Sequence, residues 1–122
     1  MSKGRTHARL CEEIKREVSQ IVEFEVRDPL LREAIPTVME VKLSVDTRYA
    51  KIYIALAQGT REEKLEVIAA FRRDSGFFRT ELARRLSLRY TPQLEFLLDE
   101  TVERAIRIDE LLTRENNEIG AG

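Results

Sequence analysis

Hydrophobic residues in the first fifth of the chain recur every three or four positions, the spacing of one face of an amphipathic helix. They predict a helix from Thr6 to about Glu25. Its apolar stripe consists of Leu10, Ile14, Val18, Ile21 and Val22. Asp28-Pro29 ends this helix, because the residue before a proline is disfavoured in the helical region.

The hydrophobic period changes to two after Pro36, as expected for half-buried strands. The apolar positions of the first run are Met39, Val41, Leu43 and Val45. Those of the second run are Ala50, Ile52, Ile54 and Leu56. Because only the short polar segment Asp46-Thr47-Arg48 separates the two runs, we predict an antiparallel hairpin.

The helical pattern returns after Gln58-Gly59, where Thr60 and Glu63 have the spacing of a capping box that starts a helix. The inward positions of this helix are predicted to be Leu65, Ile68, Ala69 and Phe71 or Arg72. We interpret Ser75-Gly76 as a break before a second short helix. The apolar residues after the break, assigned to core and kink packing, are Phe77, Phe78, Leu82, Ala83 and Leu86.

The last part of the chain predicts one more strand and one more helix. After Pro92, the residues Leu94, Phe96 and Leu98 alternate as a third strand, and a helix runs from Thr101 to about Arg114. We expect residues 1–114 to be one domain and the polar residues 115–122 to be a mobile tail.

The predicted fold is an α+β domain in which a three-stranded sheet carries helices on one face. The order of elements is helix, two strands, helix–break–helix, strand and helix. This order matches the type II KH topology, a nucleic-acid-binding fold.

Composition argues against several classes of protein. The longest apolar run, Ile52 to Ala57, has six residues, too few to span a membrane, and we expect a cytoplasmic protein. The single cysteine, Cys11, has only His7 as a neighbouring ligand, which is too few for zinc and agrees with a reducing compartment. The sequence contains no phosphate loop with a lysine, no serine–histidine–acid set and no metal-ligand spacing. We therefore predict no enzyme, no cofactor and no small-molecule substrate.

Charge is distributed unevenly, although the net charge is only −1. Residues 72–89 carry six arginines and two acids, a net charge of +4, whereas residues 93–122 carry eight acids and three arginines. A charged helix face is usually only solvated, but the planar guanidinium of arginine also suits phosphate and stacked bases. The predicted RNA-binding residues in this region are Arg72, Arg73, Ser75, Gly76, Arg79, Arg84, Arg85 and Arg89. The basic residues that extend the set are Lys3, Arg5, Arg9, Arg48 and Lys51.

Gly76 has a structural and a functional interpretation. A glycine between two helices commonly caps the first by taking a positive φ, and we expect Gly76→Val to strain the junction for that reason. The amides exposed at the start of the second helix would in addition attract phosphate.

The three tyrosines, Tyr49, Tyr53 and Tyr90, carry rings that could stack on bases. Aromatic residues on half-buried strands mostly pack against neighbouring side chains, so packing is the predicted role.

Four segments resemble the ribosome-binding factor A family. They are Arg5-x-x-x-Arg9 with its helix to Asp28-Pro29, Val41 to Tyr53, Ser75 to Arg79, and Leu88 to Asp99 with Ile108 to Leu112 beyond. Together they span roughly residues 5 to 112 in the right order and spacing. The family is similar to KH domains but has a kink, typically Ala-x-Gly, in place of the Gly-x-x-Gly loop. Here the kink reads Asp74-Ser75-Gly76, and an aspartate repels phosphate unless its carboxylate caps the second helix.

The resemblance implies a monomeric, non-enzymatic assembly factor linked to cold adaptation. Such a factor binds the free small (30S) ribosomal subunit and its ribosomal RNA and assists late maturation and processing of 16S ribosomal RNA. The alternative is a protein–protein interaction module whose arginines pair with an acidic partner instead of RNA.

Overall fold

The computed structural model describes residues 5–121, with side chains described for residues 5–114. Its helices and strands, in chain order, are α1 (His7–Phe24), α2 (Pro29–Glu33), β1 (Pro36–Leu43), β2 (Tyr49–Leu56), α3 (Arg61–Arg73), α4 (Ser75–Leu86), β3 (Gln93–Leu98) and α5 (Thr101–Ala121). The strands form one sheet in the order β1-β2-β3. This confirms the predicted α+β class. Lys3 lies outside the described residues, as do the side chains of the tail, residues 115–122.

The sheet is mixed. β1 and β2 form the predicted antiparallel hairpin, whereas β2 and β3 run parallel, from Tyr49 opposite Gln93 to Ile54 opposite Leu98. A parallel pair needs a long crossover connection, which α3 and α4 supply. The crossover places the end of α4 and the start of β3 beside the hairpin turn, where the Gln93 amide donates to the Arg48 carbonyl at 2.8 Å.

The core lies between one face of the sheet and the helices α1, α3 and α4. Ile52 and Ile54 of β2 are fully buried, as the alternation predicts. At the centre, the ring centroids of Phe71, Phe78 and Phe96 lie 5.1–5.8 Å apart, the spacing of favourable aromatic pairs. α3 begins with the predicted capping box, in which Thr60 and Glu63 exchange two hydrogen bonds of 3.2 Å.

Three apolar positions predicted to face the core do not. A β-bulge between Val38 and Glu40 shifts the register of β1, so Val38 is buried and Met39 is exposed. Val45 is 95% exposed, because β1 ends at Leu43 and Val45 belongs to the turn. On α3, Ile68 and Phe71 are buried as predicted, whereas Leu65 is 41% exposed and Val67 and Ala70 are buried instead. The short helix α2 was also not predicted.

The last helix lies outside the core. Its apolar residues Val102, Ile106 and Leu112 are more than half exposed, and ion pairs from α3 hold its start, Arg61 to Glu100 at 2.9 Å and Lys64 to Glu103 at 3.2 Å. It continues to Ala121, beyond the predicted end at Arg114. No helix in the described part of the chain is long and apolar enough to cross a membrane.

Candidate nucleic-acid interface

The junction between α3 and α4 is made by Asp74 and not by a glycine cap. Asp74, with φ −91° and ψ 8°, is both the C-cap residue of α3 and the N-cap residue of α4. Ser75 and Gly76 therefore already lie in the first turn of α4. The predicted positive φ of Gly76 is wrong, because among the described glycines only Gly59 has one. The Asp74 carboxylate makes no capping hydrogen bond, so the one condition under which it would not repel phosphate is not met. A single acidic residue, Asp74, therefore separates the two helices.

The surface beside this kink is acidic. A groove of about 770 Å³ opens where the end of α1 and the start of α2 meet α4. The charged residues that line it are Glu23, Glu25, Asp28, Asp74, Glu81, Arg27 and Arg32. The N-terminus of a helix contributes about half a positive charge, which is smaller than the excess of carboxylates here. The kink amides are therefore unfavourably placed for phosphate.

Arg84 forms an ion pair with one of the carboxylates that line this groove. Its guanidinium makes two contacts with the Glu81 carboxylate, at 2.9 and 3.1 Å, and lowers the pKa of Glu81 to about 2. The pKa of Glu25 is raised, first because its carboxyl shares a hydrogen bond with Glu81 and next because it is partly desolvated. Glu81 therefore stays ionised at neutral pH, and Arg84 serves as its partner.

Two further arginines that were predicted to bind RNA donate hydrogen bonds to backbone carbonyls. Arg72 Nε donates to the Phe96 carbonyl at 3.1 Å. Arg79 donates to the carbonyls of Pro92 and Thr91, both at 3.1 Å. β3 is an edge strand, so these side chains satisfy acceptors that no neighbouring strand reaches. Arg72 and Arg79 thus stabilise the third strand and the segment that leads into it.

Arg85 and Arg5 are largely buried ion-pair partners. Arg85 contacts Glu17 at 3.3 Å and also pairs with Glu25, which joins α4 to α1, and only 16% of its side chain is exposed. The Arg5 side chain is also 16% exposed, and it pairs with Glu13 at 3.0 Å. Reversing either charge would place a carboxylate against a carboxylate that is only 14% exposed and would destabilise the fold. Arg85 is therefore an unsuitable position for testing RNA contact.

Four of the predicted cations are exposed and make no side-chain hydrogen bond or ion pair within residues 5–114. They are Arg48, Lys51, Arg73 and Arg89. Arg9 is 74% exposed, and among the side chains that the structure describes it pairs only with Glu13 of its own helix, at 3.1 Å.

Most of these exposed cations gather at one end of the molecule, which we call the hairpin end. It comprises the β1–β2 turn (residues 44–48), the first turn of α1 and residues 87–93. Three contacts hold these segments together. His7 Nε2 lies 2.9 Å from the Ser44 carbonyl oxygen, and the Gln93 amide donates to the Arg48 carbonyl. Arg5, just before α1, donates to the carbonyl of Leu86 at the end of α4, at 3.5 Å. Along the 12 residues of α4, this end is separated from the kink by roughly 18 Å. The predicted basic residues therefore do not form one surface around Gly76.

His7 and Cys11, the two residues considered above as metal ligands, both contact backbone carbonyl groups. The Cys11 thiol donates to the Val41 carbonyl at 2.9 Å, and His7 contacts the carbonyls at the end of β1. In the described part of the chain, no group of three or more histidine, cysteine or acidic residues could hold a metal ion.

A second groove, of about 600 Å³, opens at the hairpin end. Tyr49 and Tyr90 line it together with Arg48, and the two rings are 60% and 78% exposed. The packing role predicted for these two tyrosines is therefore wrong. Tyr53 is half-buried, and the Lys42 ammonium lies 5.3 Å from the centre of its ring.

Comparison with known proteins agrees with the architecture. The family model described as ribosome-binding factor A matches residues 6–112. The chain belongs to the ribosome-binding factor A family. A family member from Acetivibrio thermocellus is 42% identical over 104 residues, which is 85% of this chain and 83% of that protein.

Solved structures of family members share the fold. The crystal structure of ribosome-binding factor A from Thermus thermophilus has a TM-score of 0.66 and 29% identity, over 76% of this chain and 94% of that one. A homology model of a Thermus thermophilus ribosome-binding factor A, fitted into a cryo-EM map of a 30S complex, has a TM-score of 0.63 and 26% identity, over 76% of this chain and 94% of that one.

Sequence reasoning missed both grooves of this family member. The acidic groove joins residues from three helices, and no local pattern indicates that they meet. The tyrosine groove did leave a signal: Arg-Tyr occurs twice, as Arg48-Tyr49 and as Arg89-Tyr90. Each pair lies next to a predicted strand, and the parallel pairing of β2 with β3 brings the two together.

Proposed function

We propose that this protein is a non-enzymatic, cytoplasmic assembly factor that binds the free small (30S) ribosomal subunit and its ribosomal RNA. It assists late maturation and processing of 16S ribosomal RNA and acts as a monomer. The observation that carries this proposal is membership of the family over residues 6–112, together with a relative that was fitted into a map of a 30S complex.

The hairpin end is the RNA-contacting surface that the charges favour. Arg48 and Arg89 are exposed there, and the exposed Lys51 follows on β2. None of the three has a competing side-chain partner within residues 5–114, so their charges are available to phosphates. The kink, by contrast, borders the acidic groove, which five carboxylates and two arginines line. Arg84 and Arg85 pair with two of these carboxylates, so the carboxylates still exceed the arginines by one. Phosphate contacts of this kind supply affinity and orientation, but they do not recognise the base sequence of the RNA. The kink is therefore assigned a structural role. Arg72 and Arg73 are both exposed beside it, and of these two Arg73 makes no side-chain hydrogen bond or ion pair within residues 5–114.

Salt-titrated co-sedimentation with purified 30S subunits tests this assignment. The variant Arg48→Glu/Arg89→Glu removes two exposed cations that hold no other part of the fold. We expect weaker binding, and a slope of log affinity against log salt that is smaller by about 1.5, since each lost phosphate contact removes about 0.7–0.9. The matched control, Arg27→Glu/Arg32→Glu, makes the same charge change at the acidic groove and should bind like the parent.

The outcomes separate this function from the alternative. Equal weakening by both double variants would show a response to net charge alone and would contradict the hairpin end as the binding surface. Failure of the parent to sediment with 30S subunits at any salt concentration would overturn the function itself. Binding to subunit proteins but not to isolated 16S ribosomal RNA would support the protein–protein interaction module.

A further inference from the structure

We propose that the tyrosine groove at the hairpin end binds an unpaired nucleotide, whose base stacks on the rings of Tyr49 and Tyr90. The inference rests on the proposed function and deepens it, because it specifies the class of RNA element that this surface recognises. The ligand is a single-stranded segment or a splayed base of ribosomal RNA rather than a duplex.

The exposure of the two rings is the first observation. Tyr49 extends from the solvent face of β2, while its neighbour Ala50 is 1% exposed on the core face. Tyr90, in the segment before β3, is 78% exposed. Neither ring contributes much to the core, yet both line the same groove. Two aromatic faces held in water by a sheet and its adjoining loop form a preorganised stacking surface.

The size of the groove is the second observation. Its volume of about 600 Å³ lies within the range of small-ligand sites, roughly 300–1,000 Å³. Thr91 and Gln93 line the groove as well, so polar groups are available to a base edge. A base in a duplex is already stacked and paired, whereas an unpaired base can enter such a groove.

The charges favour a base inside the groove and phosphate at its rim. The Asp46 carboxylate lines the groove and accepts hydrogen bonds from the Ser44 hydroxyl at 2.7 Å and the Arg48 amide at 3.1 Å. These bonds lower the pKa of Asp46, so it remains an anion that disfavours phosphate beside it. The guanidinium carbon of Arg89 lies 5.5 Å from the centre of the Tyr90 ring. Arg89 and the exposed Arg48 therefore place positive charge next to both stacking rings, where the nucleotide's own phosphate would lie.

In each repeated Arg-Tyr pair an arginine directly precedes the tyrosine in the sequence. Arg48-Tyr49 ends the hairpin turn and Arg89-Tyr90 precedes β3, so each dipeptide contributes one ring and one guanidinium. Stacking on an aromatic face combined with arginine contacts to the backbone is the general chemistry of single-strand recognition.

The test uses an unstructured oligoribonucleotide of about eight nucleotides, within the usual site sizes, and an RNA hairpin of the same composition. Affinity is measured by fluorescence anisotropy of the labelled RNA. Stacking is measured by quenching of tyrosine emission, which is readable because the chain has three tyrosines and no tryptophan. We expect the parent to prefer the single strand and its tyrosine emission to be quenched on binding.

Matched variants separate stacking from other contributions. Tyr49→Leu and Tyr90→Leu should each weaken single-strand binding by about 5- to 150-fold, the measured range for loss of one stacked base. Tyr49→Phe and Tyr90→Phe keep the ring and should bind like the parent. Because both side chains are largely exposed, all four variants should melt close to the parent.

Several outcomes would overturn the inference. They are leucine variants that bind like the parent, phenylalanine variants that lose as much affinity as leucine variants, equal affinity for hairpin and single strand, and no detectable single-strand binding by the parent. If any of these occurs while the parent still sediments with 30S subunits, the proposed function stands and the stacking site fails. If the parent does not bind subunits, both fail together.

Discussion

Replacement of Gly76 tests the geometry of the kink most directly. A glycine with a positive φ would be strained by any larger residue, but Gly76 lies in the first turn of α4 without one. A β-carbon placed on it meets no atom within 4 Å among those described. Gly76→Ala should therefore remove backbone freedom from the unfolded chain at no steric cost.

The expected gain is modest and can be calculated from helix propensity. Alanine is favoured over glycine by about 0.5–1 kcal/mol inside a helix. For a domain of this size that free energy raises Tm by about 2–4 °C. Gly76→Val should melt within about 0.5 kcal/mol of the parent, because the low helix propensity of valine offsets most of the gain.

Gly59 supplies the matched control in the same chain. Its φ is +104°, and an added β-carbon would lie 3.3 Å from Cβ of Glu63. Glu63 is also the capping-box residue of α3, so displacement of its side chain weakens that cap. Gly59→Ala should cost about 1 kcal/mol or more.

Thermal and urea unfolding of the parent and the three variants provides the measurement. A loss of about 1 kcal/mol or more in Gly76→Ala, equal to the loss in Gly59→Ala, would refute the helical assignment of Gly76. Such a loss would support the strained glycine cap that the sequence predicts.

Two further predictions concern charged residues whose contacts are structural. Arg79→Met should reduce stability by about 2 kcal/mol in urea unfolding, because the Thr91 and Pro92 carbonyls lose a charged donor; unchanged stability would show that water replaces the guanidinium. The pKa of Glu81, about 2 in the folded state, lies below its ordinary value of 4.5, so the contribution of this carboxylate is complete above about pH 4.5 and is lost as pH falls toward 2. Glu81→Gln should make Tm fall less steeply between about pH 5 and pH 2, while an unaltered acid profile would contradict the Arg84–Glu81 pairing.

Elements with a long and regular pattern could be predicted from the sequence. α1, the strands and the capping box of α3 depend on local spacing and local hydrogen bonding, which neighbouring residues specify. The errors occur where one residue changes the register or the end of an element. Met39 is exposed by a bulge in β1, and Asp74 rather than Gly76 makes the break.

The candidate site could be predicted only in part. Family membership and a cluster of arginines are readable from the chain, but what each arginine contacts is not. Arg72 and Arg79 belong to the same arginine-rich segment as the exposed Arg73 and Arg89. They nevertheless donate to carbonyls of the edge strand and of the segment that leads into it. Local composition cannot distinguish these roles, because the carbonyls that bind the guanidinium groups lie 12 to 24 residues away.

The amino-acid sequence alone therefore determines the α+β class, most element boundaries and the family, since these follow from periodicity, capping chemistry and ordered motifs. Tertiary structure decides which charges are free and which rings are exposed. The parallel pairing of β2 with β3 brings Arg89-Tyr90 close to Arg48-Tyr49, and the packing of α4 on α1 places a carboxylate-lined groove beside the kink. Both outcomes depend on contacts between residues far apart in the chain, and such contacts form only when the sheet and helices pack together.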